Sequence, residues 1–192
     1  MAQLFTVHPD NPQPRLLKQA ADLLRRGEVL AVPTDSSYAL VCQLDDKQLL
    51  SLLCRDLGEL ASYARVDNAQ FRLLKLGTPG PFTFILEASK EVPRRVSHPQ
   101  RKTIGLRVPE HPVVQGLIAL HGAPLLATTL ILPDDDTPLN EPAAIRERLE
   151  HDIAAVIDAG ACPLVPTTVV DLSGDAPALL RRGRGDPARL GL

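Results

Sequence analysis

Three well-separated stretches of the chain carry side-chain hydroxyls at the ends of apolar runs. They are Pro33-Thr34-Asp35-Ser36-Ser37-Tyr38, Ala127-Thr128-Thr129 and Pro166-Thr167-Thr168. Two arginines stand on or just after apolar runs of their own, Arg107 in G-L-R-V-P and Arg181 in L-L-R-R-G. Neutral hydroxyl donors beside planar guanidinium forks suit recognition of phosphate or carboxylate. Each corner alone has a plainer explanation. Asp and Ser bond their own backbone in turns, and Thr is a common strand residue. Their recurrence, with two strand-borne arginines, points to one anion-binding cavity assembled at strand ends, where open α/β sheets gather ligands. No nucleophile with an adjacent base can be assigned, so the chemistry is positioning and charge stabilisation.

The elements that must position these residues are legible in outline. Val29–Val32 and Ala39–Cys42 read as buried strands, the first stopped by Pro33 and the second running to about Leu44. A helix begins at Pro14, carries Leu16, Leu17, Ala20, Leu23 and Leu24, and ends at Gly27. Asn68 is placed to cap a helix closed by Gly77. Further strands are expected at 82–86, 103–108, 125–129, 153–158, 167–172 and 178–180, and helices at 112–120 and 141–150. Strands and helices in no strict βαβ rhythm suggest an α/β sheet of mixed direction in a single domain over residues 1–192. One stretch resists this reading. Residues 45–56 begin like a helix and end like a strand, with no turn residue between. Either one helix continues through, or residues are missing between Leu50 and Ser51.

Composition excludes several classes. Aromatics make up 3% of the 192 residues and tryptophan is absent, which leaves an aliphatic core and argues against base stacking on exposed rings. No apolar run approaches the roughly 18 residues of a membrane span, and no secretory signal is evident. Cys42, Cys54 and Cys162 form no metal-ligand spacing and cannot all pair, which fits a reducing, cytoplasmic setting. The five histidines are scattered, and Asp35 alone would hold Mg²⁺ only together with substrate phosphates. P-loop, G-x-G-x-x-G, G-x-S-x-G and H-E-x-x-H motifs are absent. The net charge of −2 does not announce a nucleic-acid binder, but Arg94, Arg95, Arg101, Lys102 and Arg107 form a basic stretch without an acid.

Several segments carry a resemblance: P-T-D-S-S-Y-A-L at 33–40, P-G-P-F-T-F-I-L at 79–86, T-I-G-L-R-V-P at 103–109 and P-L-L-A-T-T-L at 124–130. With I-D-A-G at 157–160, P-T-T-V-V-D-L at 166–172 and L-L-R-R-G at 179–183, the chain resembles the YrdC-like family of threonylcarbamoyl-AMP synthases and their relatives. It is most similar to the YciO branch. The resemblance implies a twisted mixed sheet flanked by helices, with a concave, positively charged groove binding nucleotide and/or double-stranded RNA. It also implies, as an alternative, synthesis of threonylcarbamoyl-AMP from threonine, bicarbonate and ATP, with Mg²⁺, in the service of tRNA modification. Carried over by position, Thr34 and Tyr38 lie at the threonine and carbamate end, beside Asp35 and Ser37 of the same island. Arg107 meets a carboxylate, and Thr168 and Arg181 lie near the nucleotide. Thr129 matches the serine of the family's S-A-N signature, with Thr128 just before it. RNA would lie along Arg94, Arg95, Arg101 and Lys102. Two departures stand out. S-A-N reads Thr129-Leu130-Ile131, replacing an amide with a hydrocarbon. The basic K-x-R helix expected near Leu50-Ser51 is lacking, and the chain runs about fifteen residues short there, the length of one helix and loop. A groove for some other anionic metabolite is the third reading.

Overall fold

The computed structural model describes residues 1–44, 51–93, 96–98, 100 and 102–192. In chain order the elements are β1 (Gln3–Thr6), α1 (Pro14–Arg25), β2 (Leu30–Val32), β3 (Ala39–Cys42), β4 (Ser51–Leu53), α2 (Leu57–Tyr63), α3 (Asn68–Gly77) and β5 (Phe82–Glu87). They continue with β6 (Thr103–Arg107), α4 (Pro112–His121), β7 (Leu125–Thr129), α5 (Pro142–Leu149), β8 (Ala155–Asp158), β9 (Thr168–Asp171) and β10 (Ala178–Arg181), and close in a short 3-10 turn, Pro187–Leu190. The expected elements recur with shifts of a residue or two at their ends. Three were not foreseen: β1, α2 and the closing turn. Ser51–Leu53 is strand, so no continuous helix runs through residues 45–56. Residues 45–50, and with them the Leu50–Ser51 junction, lie outside the described residues.

The described strands form one mixed sheet in the order β1-β8-β2-β3-β7-β4-β6-β5-β9-β10. Successive side chains in a strand point to opposite faces, and here the two faces meet different fates. On one, Leu30, Val32, Val41, Leu125 and Ile157 pack against Leu17 and Leu24 of α1 and Val113 and Leu117 of α4. These two helices cover the β8-β2-β3-β7 half. The other face is covered except at the edge strands β1 and β10. Ala31, Leu130 and Val156 meet Ile145 and Leu149 of α5, while Leu52, Leu106, Phe82, Phe84 and Val170 meet Leu60 of α2 and Leu74 of α3. The remaining quadrant, the α1/α4 face of β4, β6, β5 and β9, has no helix over it. Its residues are correspondingly small or polar: Ser51, Gly105, Thr83 and Val169. In β5 the result is a regular alternation, with Phe82, Phe84 and Leu86 buried and Thr83 and Ile85 half-buried.

Local chemistry sets the helix ends. Asp67, rather than the expected Asn68, caps α3: its side chain accepts from Gln70 N at 2.8 Å, and the Gln70 side chain accepts from Asp67 N at 2.8 Å. His111 caps α4 through Nδ1, which accepts from Val113 N at 3.3 Å and must be unprotonated to do so. Burial lowers the His111 pKa from its ordinary 6.5, Arg107 adds to that, and Asp35 and Asp10 oppose it.

Asp67→Ala should cost about 1 kcal/mol of unfolding free energy in urea, whereas Asn68→Ala should change little. A depressed histidine pKa means the unfolded chain binds the proton first, so stability is full above pH ~6.5 and declines as pH falls below it. His111→Asn, which caps without titrating, should flatten part of the decline between pH 7 and 5. The rest belongs to His121, also lowered by burial. An unchanged slope would remove His111 from the account.

Candidate functional site

Pro33 ends β2 and the chain turns back on Thr34. Its Oγ1 donates to Ser37 O at 2.7 Å and accepts from the N–H groups of Ser36 and Ser37 at 3.2 and 3.3 Å. Thr34, Ser36 and Ser37 are all buried. The polar island is therefore a hydroxyl-stapled turn, as its composition allowed. Its purpose becomes clear from what crosses to it. Arg107, at the end of β6 and only 6% exposed, donates through Nη2 to Thr34 Oγ1 at 3.1 Å and to Asp35 Oδ1. Asp35 Oδ2 accepts from Glu110 N at 3.3 Å. Each carboxylate oxygen thus has one partner within the protein, and Asp35 stands as the counter-ion of Arg107. Among the described residues no group of three or more His, Cys, Asp or Glu side chains could hold a metal ion. Burial pushes the Arg107 guanidinium down from its ordinary value and Asp35 pulls it back. Arg107 Nε is buried and has no hydrogen-bond partner among the described residues.

Arg107 lines a cavity of about 170 Å³ at the inner edge of the uncovered quadrant. With it stand Ser37, Ser51, Thr83, Thr128, Thr129, Thr167 and Arg181. Along the far wall Thr83 and Thr167 share a hydroxyl–hydroxyl hydrogen bond of 2.8 Å, and Arg181 donates to Thr167 O through Nε and Nη2 at 3.1 and 2.9 Å. Arg181 owes its direction to a bulge. Leu179 pairs with Val170 and Arg181 with Val169, leaving Leu180 unpaired between them. In an unbroken register Leu180 would oppose Val169, and Arg181 would fall on the other face. Gly105 keeps the floor flat, because a Cβ there would meet Ser51 Cβ and Thr83 Cγ2, each at 3.3 Å. Over that floor the cavity continues into a second hollow of about 310 Å³, lined by Ile85, Val96, His98 and Ile104 and sharing Ser51, Thr83 and Val169. A separate hollow of about 330 Å³ has apolar walls of Leu57, Pro79, Val108 and Pro109, and the Arg55 at its rim is paired with Asp56. It lacks the converging donors.

Of the residues expected from sequence, Ser37, Arg107, Thr129 and Arg181 meet at this cavity, Thr128 enters its lining from between the like-facing Ala127 and Thr129, with its own side chain directed to the other face, and Thr34 and Asp35 stand directly behind Arg107. Two do not line it. Tyr38 lies between Ser37 and Ala39, both cavity residues, so it points to the opposite face. There it is fully buried and its hydroxyl donates to Gly160 O at 2.9 Å. Thr168 lies between Thr167 and Val169 and is likewise turned away, its Oγ1 accepting from Gly183 N at 2.9 Å and donating to Gly185 O. Its neighbour Thr167 takes the place expected of it. Ser51 and Thr83 were missed, though for Thr83 a signal was available in the single hydroxyl set between Phe82 and Phe84. Of the basic stretch, Lys102 is exposed, and Arg94, Arg95 and Arg101 lie outside the described residues. Residues 22–183 match the family model Sua5_yciO_yrdC, described as telomere recombination.

The chain belongs to the Sua5/YciO/YrdC family.

It is 45% identical to the uncharacterised protein YciO of Escherichia coli strain K12, over 97% of this chain and 98% of that one. That alignment runs over 201 positions, more than the 192 residues here, so YciO carries residues without a counterpart in this chain. The crystal structure of E. coli YciO superposes with a TM-score of 0.95, covering 99% of this chain and 100% of that one. The threonylcarbamoyl-AMP synthase of Bos taurus is more distant, at 31% identity over 82% of this chain and 63% of that protein. Sua5 of P. abyssi, in a structure complexed with L-threonine, shares 25% identity and a TM-score of 0.85, over 94% of this chain and 57% of that one.

Breaking a buried ion pair from one side strands the other charge. Arg107→Gln should therefore cost about 3 kcal/mol, and adding Asp35→Asn should recover part of the loss. Urea unfolding of the double-mutant cycle reads the coupling directly. A value below about 0.5 kcal/mol would mean the two groups act independently.

Proposed function

We propose that this chain is a nucleotide-binding protein whose phosphate group is held in the Arg107–Arg181 cavity. The observation that carries this reading is Arg107 itself: buried, lining a polar cavity, with an Nε donor that no group among the described residues satisfies. An unsatisfied buried donor costs about 1–3 kcal/mol, a cost that an anionic acceptor would remove. Hydroxyls from β4, β5 and β7 and from the segment before β9 supply neutral donors around it. The adjoining, more apolar hollow over Gly105 and Ile85 is of a size and character to take a base and sugar. Among the described residues no helix is long and apolar enough to cross a membrane.

Synthesis of threonylcarbamoyl-AMP is the second reading, favoured by the 31% identity to the bovine synthase. Against it stands the segment after Thr129. Leu130 is fully buried against Tyr38 and Ile145, and Ile131 is exposed, so no carboxamide follows Thr129. Double-stranded RNA, the other partner that the family resemblance implies, is far wider than the cavity. It would meet exposed surface cations such as Lys102 and Arg182, with affinity that falls steeply as salt rises.

Calorimetric titration with ATP, AMP and inorganic phosphate tests the first reading. Binding of ATP and AMP is expected, and Arg181→Ala should weaken it about tenfold, the worth of one charge-assisted hydrogen bond. Absence of nucleotide binding at millimolar concentrations would end the proposal. Pyrophosphate release from ATP that requires both threonine and bicarbonate would put the synthase reading in its place.

A further inference from the structure

Burial does not decide the register of β10. All four of its residues are exposed, Leu179 and Leu180 at 37% and 55% among them. A strand with one buried face is held in register because a one-residue slip would expose that face, and an exposed edge strand lacks this hold. Yet the direction of Arg181 depends on register. Leu179 stands opposite Val170 and Arg181 opposite Val169. Only the extra residue between them brings the Arg181 guanidinium to the cavity wall, where Nε and Nη2 donate to Thr167 O.

The chain just past β10 supplies a hold. Continued by two residues, the register that sets Arg181 against Val169 sets Gly183 against Thr167. Gly183 lies there, so close that a Cβ on it would come within 2.3 Å of Pro166 O and 2.5 Å of Thr167 C. Thr168, fully buried on the side away from the cavity, grips this segment with one hydroxyl. Its Oγ1 accepts from Gly183 N at 2.9 Å and donates to Gly185 O. Alongside, Arg184 N donates to Pro166 O at 2.9 Å. Gly185 is seated on the core, since a Cβ there would lie 2.7 Å from the Phe82 ring. The Thr168 hydroxyl is the side-chain part of this anchor, and a valine in its place would keep the shape and lose both bonds.

We propose that Thr168 is a positioning residue for the cavity: by clamping Gly183 and Gly185 it holds β10 in its bulged register and keeps Arg181 turned inward. This rests on the nucleotide-binding reading for the effect on ligand, but not for the effect on the chain, and two assays separate them. In calorimetric titration with AMP, Thr168→Val should weaken binding about tenfold, as Arg181→Ala does. The double variant should bind no more weakly than Arg181→Ala alone, whereas a merely structural role would add its own loss. Thr168→Ser keeps the hydroxyl and should bind like wild type. Gly183→Ala leaves Thr168 in place but forces the segment off Pro166 O, and should behave like Thr168→Val. Should Thr168→Val fail to fold, Gly183→Ala carries both assays.

Trypsin reads the chain without a ligand. Cleavage after Arg182 and Arg184 should be about tenfold faster in Thr168→Val and Gly183→Ala, and unchanged in Thr168→Ser. Wild-type affinity in Thr168→Val, or a loss additive with that of Arg181→Ala, would overturn the role given to Thr168. If the wild-type protein binds no AMP, the nucleotide reading falls and the trypsin rates decide alone. Faster cleavage in Thr168→Val would then uphold the clamp on β10, and equal rates would overturn it.

Discussion

A guanidinium taken out of water needs its charge answered and its donors met, and Arg107 is 6% exposed at the end of an interior strand. The Thr34–Ser37 turn is what answers it. Asp35 supplies the counter-charge, Thr34 Oγ1 supplies a second acceptor, and both are fixed because Thr34 also staples its own loop. The link from Asp35 to Glu110 N ties the same turn to the segment that leads into α4. Two pieces of chain far apart in sequence, residues 34–37 and 107–110, are thus locked to each other around one buried cation. Among the described residues, what they leave unmet is the buried Nε donor of Arg107. A site built this way is organised before any ligand arrives, and that lowers the ordering cost of binding.

Helix placement on the sheet determines why the cavity is where it is. Strand alternation sends side chains to both faces everywhere, but both faces are covered over only part of this sheet. On the α1/α4 face the two helices reach across only the β8-β2-β3-β7 half. The same parity that buries Leu53 and Ala127 at the helix edge presents Ser51, Thr83 and Val169 to open space. The cavity occupies the step between covered and uncovered sheet, which accounts for a lining that mixes Ala39, Leu53 and Ala127 with hydroxyls and arginines. Gly105 extends the step into a trough, since no side chain rises between Ser51 and Thr83.

Much of this was legible in sequence wherever a local rule decides. Apolar runs with proline or glycine at their ends gave the central strands, and α1 and α4 followed from apolar periodicity with proline at the first turn. The missed elements are short and depend on tertiary partners. Helix α2 has seven residues including Gly58, too few to be stable alone, and is held by the Asp56 cap and burial of Leu60. Strand β1 is a four-residue edge that pairs only with β8. Within the site, the clustering of hydroxyls was readable, but the choice of Tyr38 and Thr168 ignored parity, which would have turned both away from Ser37 and Thr167. The Leu180 bulge is a different case. Nothing in A-L-L-R-R-G says which arginine will face inward, because a one-residue slip on an edge strand is decided by pairing with β9.

The departure at Leu130-Ile131 bears on what kind of recognition the cavity can perform. Leu130 is locked into the α5-side core, its N–H donates to Tyr38 O and its carbonyl accepts from Leu139 N, so the chain leaves β7 along a fixed course. The next residue, Ile131, bends back on Thr129 O and exposes a hydrocarbon where a carboxamide would both donate and accept. With no amide side chain in the lining, the cavity's side chains are hydroxyls that can act either way and guanidiniums that only donate. Such a set matches negative charge well and neutral donors poorly. Its donors suit an anion, and with no amide in the lining it offers no side chain of fixed donor–acceptor pattern to tell one anion from another.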